Sequence, residues 1–234
     1  MRTRVLALAA ILLTGLVVSM QGGEVATAVV NPADFAAPVA NPYFPLKPGT
    51  VFVYHGTDGS DRLVEHLHVT HHTKTIQGVR TIVLRDVLFA NGRLAEKTTD
   101  WYANDNGGTT WYFGEQTAVY DKNGHVTSRE GSWQAGVGGG VAGIIMPANP
   151  KPTDAYRQEF LAGHAEDQAW IVGRHGRLGT PVGRLHDVVR SYEWTRLEPN
   201  VVSLKLYAPH FGIVVEHDVA GGEESLQLVA VKHR

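Results

Sequence analysis

Six carboxylates stand in a stretch dense with aromatic rings: Asp100, Glu115, Glu159, Glu166, Asp167 and Glu193. Two acids in unequal surroundings can divide proton-transfer roles, because desolvation keeps one protonated while the other stays ionised. Such a pair suits glycosidic cleavage or proton abstraction beside a carbonyl. Spacing along the chain gives no distance between any two of them. The structural alternative is that each acid is salt-bridged or sits at a polar rim, since a carboxylate buried alone costs several kcal/mol or shifts its pKa. Arg85, Arg157 and Lys205 are the available partners.

Trp101, Trp111, Tyr112, Trp133 and Tyr156, with Arg157 next in sequence, form the candidate ligand-binding set. Aromatic faces suit flat apolar ligands or sugar rings, and core packing is the plain alternative. In EHLHVTHH (65–72), His66 and His68 are two apart on an expected strand, a spacing that sets two imidazoles side by side for zinc or copper. A site needs a third ligand, from His55, His71 or an acid; without one no cofactor is expected. A serine or cysteine nucleophile is disfavoured: the chain has no Cys, and no Ser lies in a Gly-x-Ser-x-Gly turn. GGGVAG lacks the Gly-Lys-Ser/Thr that closes a phosphate loop.

The elements that must position these groups read as strands. TDGSD (57–61), ANGR (90–93), NDNGG (104–108), DKNG (121–124) and RHGR (174–177) mark reversals between runs rich in Val, Ile, Thr, Tyr and Trp. Alternation then sets Thr98, Asp100 and Tyr102 on one face and Thr99, Trp101 and Ala103 on the other. The same rule groups Glu193 with Val189, Ser191, Thr195 and Leu197. AYRQEFLAGHAEDQAW reads as a short helix or as a strand pair around LAGH. Gly136 to Pro152 reads as a long crossing loop carrying an apolar plug, Ile144-Ile145-Met146.

These signals predict a mainly all-β fold: a curved antiparallel sheet forming a closed or half-open barrel, with the long Gly/Pro-rich loop over its mouth. A two-sheet sandwich is the second choice.

Two arginines in MRTR, an apolar run to Met20 and Ala26-Thr27-Ala28 read as a cleavable signal peptide over residues 1–28; a retained anchor is the alternative. Residues 29–48 read as an extended leader and 49–234 as a single β-barrel-like domain. The expected location is extracytoplasmic and secreted, with no stable membrane insertion after cleavage. The formal charge of −2 is spread along the chain without a basic block, which speaks against a nucleic-acid partner.

WYAND (101–105), WYFGE (111–115), GSWQAG (131–136), GIIMPANP (143–150), YRQEFLAGHAED (156–167), EWTRLEP (193–199) and YAPHFGIVVE (207–216) resemble, in order, a family of secreted bacterial β-rich proteins. The resemblance runs from NPYFPLKPGT to the end. It implies a fold and a location but transfers no activity. YAPHFGIVV also looks like the closing strand of periplasmic barrel or half-barrel carriers of apolar ligands. The family more often has Gly where this chain has His210, and lacks its histidine cluster.

Three functions follow as expectations. The first is a secreted barrel binding a small-molecule or lipid-like ligand. The second is a carboxylate-based lyase, isomerase or hydrolase acting in the same cavity, and the third a surface adhesion module.

Overall fold

Asn91 and Gly92 take positive φ angles of 52° and 76°, and the chain reverses there as an Asn-Gly pair predicts, because both residues tolerate the left-handed region. Five long strands are joined by such reversals: β1 (Thr50–Asp58), β2 (Asp61–Ile76), β3 (Val79–Ala90), β4 (Arg93–Asn104) and β5 (Thr110–Tyr120). Shorter pieces follow: β6 (Val126–Ser128), β7 (Trp133–Gln134), β8 (Val141–Met146), β9 (Ala155–Arg157) and β10 (Glu159–Phe160). A second meander completes the chain: β11 (Asp167–Thr180), β12 (Gly183–Thr195), β13 (Val202–Ala208), β14 (Gly212–Ala220) and β15 (Glu224–His233). The computed structural model describes residues 30–233; the signal peptide expected over residues 1–28 lies outside them.

The strands pair in the order β10-β8-β5-β4-β3-β2-β1-β15-β14-β13-β12-β11-β9, with β6 and β7 added on β5. Every pairing is antiparallel. The two terminal strands, β9 and β10, are separated in sequence by Gln158 alone, whose N–H donates to the Asp167 carbonyl at 2.8 Å. The sheet thus rolls into a nearly closed barrel of 13 strands with one unsealed seam. Eight strands make an interior that side chains just fill; thirteen leave room.

Three local expectations change. The Gly/Pro-rich segment is not a loop throughout, because Val141–Met146 forms β8 and pairs with β5 and β10. RHGR does not reverse the chain: His175, at φ 61°, lies inside β11 amid register shifts against β12, and the turn comes between Thr180 and Gly183. AYRQEFLAGHAED is no helix; it supplies β9 and β10 and a tight turn closed by the Leu161–Ala165 bridge.

Part of the expected leader is a plug. Asn41 is buried, and its side-chain amide donates to the carbonyls of Gly108, Met146 and Pro147 at 2.9 to 3.1 Å. This knot presses Tyr43, Phe44 and Leu46 into the apolar core, and Phe44 meets Tyr102 at 4.9 Å between ring centroids. The barrel is closed at this end. At the other end stand the hairpin turns at 59–60, 91–92 and 196–201.

Candidate functional site

The 13-strand wall encloses a cavity of about 1470 Å³. Its floor is apolar, formed by Phe44, Leu67, Leu84, Ile145 and Ile213. The walls above it are acidic. Sixteen of the lining residues are Asp or Glu, and Lys205 is the only Lys or Arg among them.

Strand alternation produces this segregation. On β3, Leu84 and Asp86 line the cavity while Arg85 between them is exposed outside. On β4, Glu96 and Thr98 point in and Lys97 points out, 5.7 Å from the Tyr120 ring centroid. On β12, Glu193 points in and Arg190 is exposed. The formal charge of −2 therefore conceals a strongly negative interior wrapped in a basic exterior.

The Asp100–Glu115 corner depends on a bulge. Tyr102 pairs with Tyr112 and Asp100 with Glu115, so one residue on β4, Trp101, faces two on β5, Phe113 and Gly114. Strict alternation would send Tyr112 and Glu115 to opposite faces; the extra residue returns both to the cavity. Gly114 makes this geometry, with φ 128°. A Cβ placed there would lie 2.3 Å from the Trp133 carbonyl oxygen, so glycine is required. The Tyr112 hydroxyl donates to Asp100 Oδ1 at 2.7 Å, and the ring stacks on Tyr102 at 4.5 Å and 13°.

Glu159 reaches the cavity from β10 and accepts a hydrogen bond from Trp133 Nε1 at 2.5 Å. Burial pushes Glu159 well above the usual carboxylate range, with Asp167 and then Glu115 adding to the rise. Glu115 is pushed up in the same way, by burial first and then by Asp100 and Glu96. Asp167 is water-accessible from the lumen, yet desolvation by the surrounding wall raises it to about 6 while Lys205 works against the shift.

Glu193 is fully partnered. It accepts from the Ser191 hydroxyl at 2.8 Å, the Tyr207 hydroxyl at 2.7 Å and the Gln158 amide at 3.0 Å. Lys205 Nζ lies 3.2 Å from it and 3.5 Å from Glu216. This is a satisfied ionic network built into the wall.

Asp100, Glu115, Glu159, Asp167 and Glu193 thus line one cavity. Glu166 does not: it accepts from the Gly163 N–H at 2.9 Å and pairs with Arg196, and these contacts hold it below the usual range. Of the rings, only Tyr112 lines the cavity. Trp101 faces the other way, with Lys74 Nζ 3.3 Å from its ring centroid. Trp111 packs on Phe35 at 6.0 Å and donates to Asp105 at 2.9 Å. Trp133 is buried behind Glu159, Tyr156 packs against the core, and Arg157 is exposed with its guanidinium 4.3 Å from the Phe160 ring. His66 and His68 alternate with the cavity-lining Glu65 and Leu67 and so face outward. Among the described residues no group of three or more His, Asp or Glu is placed to hold a metal ion.

Sequence reasoning missed Glu65, Tyr54, Tyr102 and Tyr207 as cavity residues. The parity of β4 groups Tyr102 with Asp100, and that of β2 groups Glu65 with Leu67; which face of each strand turns inward depends on the rolling of the whole sheet.

No protein-family model and no curated protein sequence matches the chain. Two solved structures are similar to it. One is a protein described as exported, with a YmcC-like fold, from Bacteroides fragilis: 13% identity over 82% of this chain and 100% of that one, with a TM-score of 0.48. The other is described as a lipoprotein, from Parabacteroides distasonis: 14% identity over 83% of this chain and 100% of that one, with a TM-score of 0.43. At these values neither likeness transfers a fold, a location or an activity.

Proposed function

We propose that this protein is an extracytoplasmic binding protein that takes a small organic molecule into its barrel lumen. One observation carries the reading: a cavity of about 1470 Å³ with an apolar floor and polar walls, open at the hairpin end. Small-molecule sites combine apolar surface with a few placed polar groups in pockets of roughly 300 to 1,000 Å³, and this lumen exceeds that size. The basic, apolar N-terminal stretch supports export. The acid-rich walls count against a lipid-like occupant, since an acyl chain there would strip water from carboxylates and give nothing back.

The test is entry of a neutral fluorescent probe, N-phenyl-1-naphthylamine. Thr98 lines the lumen opposite Thr117, the two hydroxyls 3.0 Å apart. The parent protein is expected to bind the dye with saturation, and Thr98→Trp, which projects an indole into the lumen, to bind it with altered affinity while keeping its far-UV circular dichroism. Equal dye binding by both proteins, or none by the parent, would overturn the reading.

The unequal environments of the acids favour a carboxylate-based enzyme as the second reading. Glu115 and Glu159 are pushed up by burial, whereas Glu193 is tied to Lys205. On aryl glycosides it predicts a bell-shaped pH profile and a loss of about 10² to 10⁴ in rate for Glu159→Gln. Parental turnover in both Glu159→Gln and Glu193→Gln removes it. An adhesion module is the weakest reading, because the sheet's terminal strands β9 and β10 are short and meet at Gln158.

A further inference from the structure

Glu65 sits on β2, is 7% exposed and lines the lumen. It makes no hydrogen bond or ion pair with any described residue. Its register neighbours are Tyr54 on β1 and Leu88 on β3, and neither brings a positive charge. Its carboxylate opens on the lumen among other acids, where a cation arriving from outside gains from their combined field. The wall does not supply one, because Lys205 stands on β13 between Glu193 and Glu216.

Two strands along the same wall stands Asp100 on β4, with Glu115 beside it on β5. Register sets Glu96 level with Glu65 and Asp100 four residues further along β4; with strands about 4.8 Å apart and a rise of about 3.3 Å per residue, Glu65 and Asp100 are separated by roughly 16 Å along the sheet. A divalent metal draws its ligands to about 2.3 to 2.6 Å and cannot span that interval. Two or more ammonium groups on one flexible chain can. Next along the same two strands, on the side of Asp100 and Glu115 away from Glu65, the surface is aromatic: Tyr102 and Tyr112 are stacked at 4.5 Å, and ring faces attract ammonium groups and cover methylene spacers.

We propose that the ligand of the lumen is a linear aliphatic oligoamine, with one ammonium group on Glu65, others on Asp100, Glu115 and Glu159, and a spacer against the Tyr102–Tyr112 pair beside them. This rests on the binding-protein reading above and adds the chemical class of the ligand. Many charges of one sign behind a low-dielectric wall also focus the field and draw cations to the mouth.

Calorimetric titration of the full chain with spermine at physiological salt tests it, alongside the neutral naphthylamine dye, magnesium and pentalysine. The expected result is saturable spermine binding near one per protein, weakened about tenfold by Glu65→Gln and not displaced by magnesium at equal charge. Circular dichroism checks the fold of that variant, and Glu115→Gln provides a second that must also weaken binding. Dye binding without spermine binding overturns the oligoamine and leaves the lumen reading standing; absence of both overturns the two together. Spermine binding unchanged in both variants, displacement by magnesium, or tighter binding of pentalysine would each overturn the proposal, the last in favour of a basic peptide.

Discussion

Glu115 stands directly across the β4–β5 ladder from Asp100, two carboxylates on facing positions inside the barrel. Like charges so placed oppose folding by about 0.2 to 1 kcal/mol. The bulge at Gly114 and the Tyr112 hydroxyl on Asp100 hold the pair in place.

Neutralising one member should stabilise the protein. Glu115→Gln is expected to raise the Tm at neutral pH by about 2 to 4 °C, which corresponds to about 1 kcal/mol for a chain of this size. The gain should vanish under acid conditions, where the parent Glu115 is itself protonated. Calorimetric melts of parent and variant across pH check it.

The pH dependence of stability follows from the raised acids. Glu115, Glu159 and Asp167 hold protons more tightly in the folded state than in the unfolded state. Where the folded state binds more protons, stability falls as pH rises. For Asp167 that window runs from the usual 3.8 to about 6; for the two glutamates it starts at the usual 4.5 and extends well above it. Glu166, held low by Gly163 and Arg196, acts in the opposite sense and loses its contribution in stronger acid. Melting temperature should therefore be higher near pH 5 than near pH 7.5, and added salt should raise it at the higher pH by screening the carboxylates.

Part of this was legible in the sequence and part was not. The parity of a regular strand placed Asp100 with Tyr102 and Glu193 with Ser191 correctly, and Asn91-Gly92 announced its turn. Parity failed at Phe113-Gly114, where one extra residue resets the face of Glu115. The tryptophans misled because a barrel wall has two sides: Trp101 and Trp111 pack outside, under Lys74 and Phe35. The charge pattern was hidden for the same reason, since Arg85 and Asp86 are neighbours in sequence but stand on opposite faces of the wall. The plug at Tyr43 to Leu46 depends on contacts of Asn41 with Gly108, Met146 and Pro147, which no local pattern reveals.

Gly114→Ala should be severely destabilising. The added Cβ would lie 2.3 Å from the Trp133 carbonyl oxygen, at a φ of 128° that side chains avoid. Strain of this kind costs about 1 to 3 kcal/mol before the steric overlap is counted. Urea unfolding should show a lowered midpoint with little change in slope.

Lys205→Met should also destabilise, by about 3 to 5 kcal/mol, because it leaves Glu193 and Glu216 without their shared ammonium group. Adding Glu193→Gln to Lys205→Met should recover much of the loss. A double-mutant cycle in urea checks the coupling.

The sign and openness of the lumen can be read in one measurement. The chain has no cysteine, so Ser203→Cys puts a single thiol on the cavity wall. Its reaction rates with a cationic and an anionic methanethiosulfonate, each normalised to free cysteine, report both access and field. Field focusing in a charged cleft changes encounter rates by about 10 to 10³, so the cationic reagent should react at least tenfold faster, with the ratio collapsing in high salt. Equal rates, or a thiol that neither reagent reaches, would contradict an open lumen walled by carboxylates.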